Sequence, residues 1–154
     1  MDGAQDNDEQ KSNRIGVLLV NLGTPDAPTA PAIRRYLAEF LSDPRIVDLP
    51  RILWLPILHG IILPARSGAT ARNYKKIWRE EGDSPLRYFT RAQAKAVAKA
   101  VGDGIIVDWA MRYGSPSIID RLTALKEKGC KRILIIPLYP QYSATTTASV
   151  GDAV

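Results

Sequence analysis

"RIGVLLVNLGTP", Arg14 to Pro25, decides the fold. From Ile15 to Val20 the run is apolar without a break apart from Gly16, it is rich in valine and leucine, and Gly23 and Pro25 close it. A strand with one wet face alternates polar and apolar residues, whereas a continuous run predicts a strand buried on both faces. Such strands belong to parallel sheets covered by helices.

The rest of the chain alternates accordingly. "APTAPAIRRYLAEFLSD" puts Ile33, Tyr36, Leu37, Phe40 and Leu41 at helical spacing, with Pro31 suited to a first turn. Pro50 to Arg79 is helical in pattern but carries Pro56, Pro64 and Gly68, which predicts two helices or three short ones. "TRAQ", Thr90 to Gln93, has the spacing of a capping box, so a helix is expected over Ala92–Val101, stopped by Gly102. "GIIVDWAMRYGSP" predicts a second strand, "SIIDRLTALKEKG" a helix stopped by Gly129, and "KRILIIPLYP" a third strand. The expected fold is therefore α/β and Rossmann-like, a parallel sheet flanked by helices. Ligands of such sheets bind beyond the carboxyl ends of the strands, where "NLGTP", "AMRYGSP" and "YPQYSATTT" lie.

At 154 residues and 45% apolar, the chain can bury one core of ordinary size. Its formal charge is +5; residues 1–13 carry −3, with Asp2, Asp6, Asp8 and Glu9 against Lys11, so the remainder carries +8. That basic body favours anionic partners. Residues 1–13 have no apolar core and no basic start, so they read as a disordered acidic tail rather than a targeting peptide, and a cytoplasmic location is expected. A single Cys130 permits no internal disulfide. The apolar stretch Ile46 to Pro64 holds Asp48, Arg51, His59 and three prolines, and is expected to be too broken to span a bilayer.

Several chemistries find no support. No G-x-G-x-x-G or P-loop motif surrounds Gly23, and His59 and Cys130 are alone of their kinds, so neither a dinucleotide site nor a closed zinc site is expected. A serine-type triad lacks its elbow motif. Arg66, Arg72, Lys75, Lys76 and Arg79 could meet nucleic acid, but no nucleic-acid motif accompanies them; a solvated helix face is expected, with Tyr74, Ile77 and Trp78 packed inward. Arg112 and Tyr113 end a strand at the ligand edge. That arginine could grip a carboxylate ligand through two hydrogen bonds or simply pair with a nearby Asp. In the hydroxyl-rich run after Tyr142, Ser143 or Thr145 could cap a helix whatever else they do.

"LLVNLGTPDAP" (Leu18–Pro28), "MRYGSPS" (Met111–Ser117) and "PLYPQYSATTTAS" (Pro137–Ser149), with "SPL" at Ser84 between them, resemble the ferrochelatase family in order and spacing. The resemblance runs from about Arg14 to the end and is to the amino-terminal half of a bacterial member. It implies two Rossmann-like domains around a porphyrin cleft, insertion of ferrous iron into protoporphyrin IX to give protohaem, iron as substrate, and no organic cofactor. By the same resemblance Leu22 lies on the cleft wall, Arg66 and Ser84 meet propionates, Arg112 and Tyr113 form an active-site pair, and Tyr142, Ser143, Thr145 and Thr146 form a polar strand end below the ring. The helices from Leu37 to Leu63 match the apolar cleft lip, which is expected to permit peripheral contact with a membrane. Ala144 stands where some members have cysteine, so no iron–sulfur cluster is expected through it. The family's catalytic histidine and glutamate belong to the second half, beyond Val154; hence residues 14–154 are expected to supply no catalytic residue, and the chain alone is expected to be inactive. Two alternatives stay open, a porphyrin- or haem-binding module without turnover and a chelatase for another tetrapyrrole and metal; "YPQYS" favours iron and protoporphyrin over the latter.

Overall fold

The computed structural model describes residues 14–154, and the expected acidic tail lies outside them. Three parallel strands form one sheet in the order β2-β1-β3: β1 is Arg14–Gly23, β2 is Ile105–Tyr113 and β3 is Cys130–Pro137. β1 is central, with Leu18 opposite Asp108 on one side and Ile135 on the other. Its alternate side chains serve two cores. Leu18 and Val20 pack with Ala110, Ile118, Leu125 and Val150 on one face, while Val17 and Leu19 pack with Ala94 on the other. That double burial is why the run could not alternate in polarity.

Helix α1, Ala30–Leu41, buries Ala32, Ile33 and Tyr36, with Pro31 in its first turn. α2 is a continuous helical stretch, Arg51–Ile77, in which Leu58–Ile62 form a π turn between two α segments. The expected breaks at Pro56, Pro64 and Gly68 do not occur. The π turn widens the hydrogen-bond repeat just ahead of Pro64, which has no N–H to donate and whose ring would otherwise clash with the carbonyl one turn back. Unbroken, the helix is long and apolar enough to cross a membrane, and only 17% of its most apolar window is buried, so the expectation of a stretch too broken for that is corrected. Ile77 is also exposed rather than packed inward, while Tyr74 and Trp78 are half-buried and meet edge to face.

α3 begins earlier than expected, at Pro85, and runs to Val101. Ser84 is its N-cap, accepting from the Arg87 amide, and Thr90 lies inside the helix with its hydroxyl on the Leu86 carbonyl. Ser84-Pro85 outcompetes "TRAQ" because proline is preorganised for a first turn and serine caps it. α4, Ile118–Glu127, and α5, Ser149–Asp152, complete the chain, α5 continuing a π turn over Ala144–Ala148. α4 and α5 cover one face of the sheet and α3 covers the other.

Candidate functional site

The loops leaving β1 and β2 run almost in contact. Gly23 has φ +119°, and a Cβ there would lie 1.9 Å from the Tyr113 carbonyl oxygen; Gly114 has φ +83°, and its Cβ would lie 2.8 Å from the Thr24 carbonyl oxygen. Only glycine fits either place. At the end of β2, facing the loop after α1, a polar cluster forms around Asp43. One carboxylate oxygen, Oδ2, accepts from Arg112 Nη2 at 2.7 Å, from the Tyr113 hydroxyl at 2.6 Å and from the Ser149 hydroxyl at 2.9 Å. The other, Oδ1, accepts from the Arg45 amide at 2.8 Å. Arg112 Nε donates to both the carbonyl and the hydroxyl oxygen of Ser149 at 2.8 Å. The guanidinium also lies 4.5 Å from the centroid of the Tyr113 ring.

Burial pushes the Asp43 carboxyl up, but hydrogen bonds from Tyr113, the Arg45 amide and Ser149, with the charge of Arg112, carry it below the ordinary carboxylate range. Burial and the bond to Asp43 push the Tyr113 phenol up to about 12. At neutral pH the cluster therefore holds a carboxylate, a guanidinium and a neutral phenol, and Tyr113 acts as a donor. Arg112 thus pairs with an Asp, one of the two roles its position allowed.

Beside this cluster, at the end of β1, a mostly apolar cavity of about 370 Å3 opens between α2 and α3, lined by Gly23, Thr24, Tyr74, Ile77, Leu86 and Phe89. Leu22, which precedes Gly23 in the chain, is half-buried and is not among the residues lining the cavity. Ser84 also lines it, although the residue is 1% exposed and its oxygen is occupied in capping α3. Arg66 is exposed on α2 and has no ion-pair partner among the described residues. It precedes Ile77 by eleven residues, three turns along the same helix face, or about 16 Å. The hydroxyl run divides. Tyr142 and Thr145 face solvent, Ser143 accepts from the Thr145 amide as a cap, and Thr146 donates to the Ser143 carbonyl. Ser149, at the end of the run, is the buried one that reaches Asp43.

Two members of the cluster escaped the sequence reading. Asp43 stands 69 residues before Arg112, so spacing could not join them; the signal was that a strand-end arginine buried beside a tyrosine requires a carboxylate. Ser149 is the last hydroxyl of the run that ends Pro137–Ser149, and helical phase rather than composition turns it inward. Among the described residues no group of acidic, histidine or cysteine side chains could hold a metal.

The family model for ferrochelatase matches residues 14–154. The chain belongs to the ferrochelatase family. It is 57% identical over 143 residues to the ferrochelatase of Azoarcus sp., covering 92% of this chain and 39% of that protein. To the ferrochelatase of Methylibium petroleiphilum it is 57% identical over 146 residues, 93% of this chain and 40% of the relative. To that of Bordetella pertussis it is 58% identical over 144 residues, 92% and 40%. The chain spans about 40% of the length of these curated relatives.

Proposed function

We propose that this chain supplies one wall of the porphyrin cleft of a ferrochelatase, which inserts ferrous iron into protoporphyrin IX. The observation that carries the reading is the match to the ferrochelatase family over every described residue, at 57–58% identity to several members. The geometry agrees with it. A flat macrocycle accepts a metal only when bent so that its pyrrole lone pairs leave the plane, and it must lose two N–H protons. A cleft for that chemistry needs an apolar wall, cations for the propionates, and a proton acceptor.

Here the wall is the face formed by Leu22, the cavity between α2 and α3, and the exposed apolar side chains of α2. Arg66, uncompensated, meets a propionate; Ser84 borders the same cavity. Arg112 and Tyr113 sit at the strand ends and orient the ring and its water rather than remove protons, since the guanidinium is paired and the phenol is a donor. Tyr142, Ser143, Thr145 and Thr146 order water at the edge of the site. The proton acceptor is a histidine with a glutamate partner outside residues 14–154, iron is substrate, and no organic cofactor or cluster takes part. The exposed side of α2 makes peripheral contact with a membrane surface, and the protein is cytoplasmic.

The test replaces the matched segment of the Bordetella pertussis ferrochelatase with residues 14–154 of this chain and follows metalloporphyrin formation. Iron insertion at a rate near that of the parent enzyme is expected, with none above background from the 154-residue chain alone. A well-folded but inactive hybrid, or one that inserts another metal and not iron, defeats the reading.

A further inference from the structure

We infer that Asp43 is a positioning residue for the Arg112–Tyr113 pair, fixing guanidinium, phenol and the Ser149 hydroxyl on a single carboxylate oxygen and tying them to the loop at the foot of α2. The inference rests on the reading of the site as a porphyrin cleft. Its own basis is geometric. Asp43 Oδ2 lies 2.6 to 2.9 Å from donors on β2 and α5, and the Asp43 side chain is only 7% exposed. Three donors on one oxygen leave Arg112 and Tyr113 one joint arrangement. Arg112 is further held by Ser149 through Nε, and Nη1 is its only nitrogen without a partner among the described residues.

The same loop has a second, separate tie. Arg45 forms an exposed ion pair with Asp152 of α5 that touches neither Arg112 nor Tyr113. Asp43 and Arg45 thus fasten one loop to α5 side by side, but only Asp43 reaches the strand-end pair. This gives an internal control: Asp152→Asn loosens the loop without releasing the pair, whereas Asp43→Asn releases the pair. Asn keeps the volume of Asp but removes the charge that Arg112 faces and one acceptor oxygen. The charged and titratable groups around Asp43 are Arg112 and Tyr113 from β2, Asp152 from α5, and Arg45 from its own loop.

Kinetics on the hybrid enzyme described above decide the matter. Asp43→Asn is expected to lower kcat at least about tenfold with porphyrin KM changed less than about threefold, Asp43→Glu to restore part of kcat, and Asp152→Asn to leave both constants unchanged. A second readout needs no turnover: in the 154-residue chain, the part of the absorbance titration that Tyr113→Phe removes should lie well above the ordinary phenol value of about 10 in the parent and move down in Asp43→Asn, but not all the way, because burial, the larger cause, remains. The Asp43→Asn/Tyr113→Phe double variant should lack that step. An active hybrid whose kcat survives Asp43→Asn, equal losses from Asp43→Asn and Asp152→Asn, or an unshifted tyrosine titration overturns the inference. A parent hybrid without iron insertion overturns the functional reading, and this role with it.

Discussion

The strand-end cluster and α2 are neighbours that follow opposite rules. Around Asp43, charge is buried and every bond is made within the chain. Along α2, Ile52, Leu53 and Ile61 are 83%, 64% and 63% exposed, and Arg66 carries a charge without a partner among the described residues. The cluster is preorganised, its groups already aligned before any ligand arrives. The helix surface is unfinished: it leaves several large apolar side chains in water, and exposed apolar surface of that kind marks a place of contact. Substitutions in the first region should therefore act on stability and rate, and those in the second on binding.

The largest expected effect comes from opening the closed region. Asp43→Ala strands the largely buried Arg112 guanidinium and removes three bonds from one oxygen, a loss of about 3–5 kcal/mol in unfolding free energy. Urea unfolding measures it, and Asp43→Ala/Arg112→Ala should cost less than the two single changes together, because neither charge is then left alone. The pH dependence follows in sign. The folded Asp43 carboxyl titrates below its unfolded value of about 3.9, so its contribution is complete above that value and is lost as the pH falls through the folded one. Tyr113 works at the other end. Raised to about 12, it contributes stability present below about 10 and lost as the pH climbs towards the folded value. Asp43→Ala should flatten the acid limb of the stability curve; an acid limb identical to that of the parent would show that the pairing stabilises nothing.

The next effect lies in the open region and appears only with substrate. Arg66→Ala should raise the porphyrin KM of the hybrid enzyme roughly ten- to a hundredfold, the worth of a charge-assisted hydrogen bond, with kcat little changed. Lys at the same position should recover part of it, since an ammonium lacks the two-pronged geometry. Arg112→Ala should do the reverse and lower kcat. An unchanged KM in Arg66→Ala would leave Arg66 an ordinary solvated cation.

These two regions were unequally legible in the sequence. β1 announced itself because burial on both faces demands a continuous apolar run, whereas β2 and β3 are the outer strands and β3 leaves Leu134 and Ile136 57% and 36% exposed; the carboxyl ends of the strands pointed to where the Asp43 cluster forms. Arg112 and Tyr113 followed from lying at such an end. Asp43 did not, because the loop after α1 meets the end of β2 and α5 only in the folded chain, 69 residues from Arg112 and 106 from Ser149. Among the hydroxyls, composition drew attention to Tyr142 through Thr146, but helical phase buries Ser149 instead. For α2, local rules failed: three breakers predicted two helices or three short ones, and one continuous helix with a π turn formed instead.

A smaller effect falls at Ser84, which belongs to both regions because it caps α3 and borders the apolar cavity. Ser84→Ala should cost about 1 kcal/mol of stability through the lost cap, read as a fall in Tm. If its hydroxyl also meets a propionate, porphyrin KM should rise as well; Ser84→Thr, which retains a hydroxyl, should then restore both. A loss of stability with an unchanged KM would leave Ser84 a cap alone.

The smallest expected change in stability is on the outer face of α2, and it tests the comparison most directly. Ile52, Leu53 and Ile61 touch mainly water, so Ile52→Ser, Leu53→Ser and Ile61→Ser should each alter unfolding free energy by no more than about 0.5 kcal/mol. Buried Leu58, in the same helix, gives the contrast: Leu58→Ala should cost about 2–5 kcal/mol. The triple serine variant should nonetheless lose most of the chain's binding to an apolar fluorescent dye and to lipid vesicles, because these side chains make up the uncovered surface. Circular dichroism and urea unfolding verify that the helix persists, and vesicle co-sedimentation reads the binding. If the triple variant unfolds early, α2 is held by its outer face and is not an open lip. If it stays folded and binds dye and vesicles as the parent does, the apolar surface that matters lies elsewhere, and the division between a closed cluster and an open helix fails at its second term.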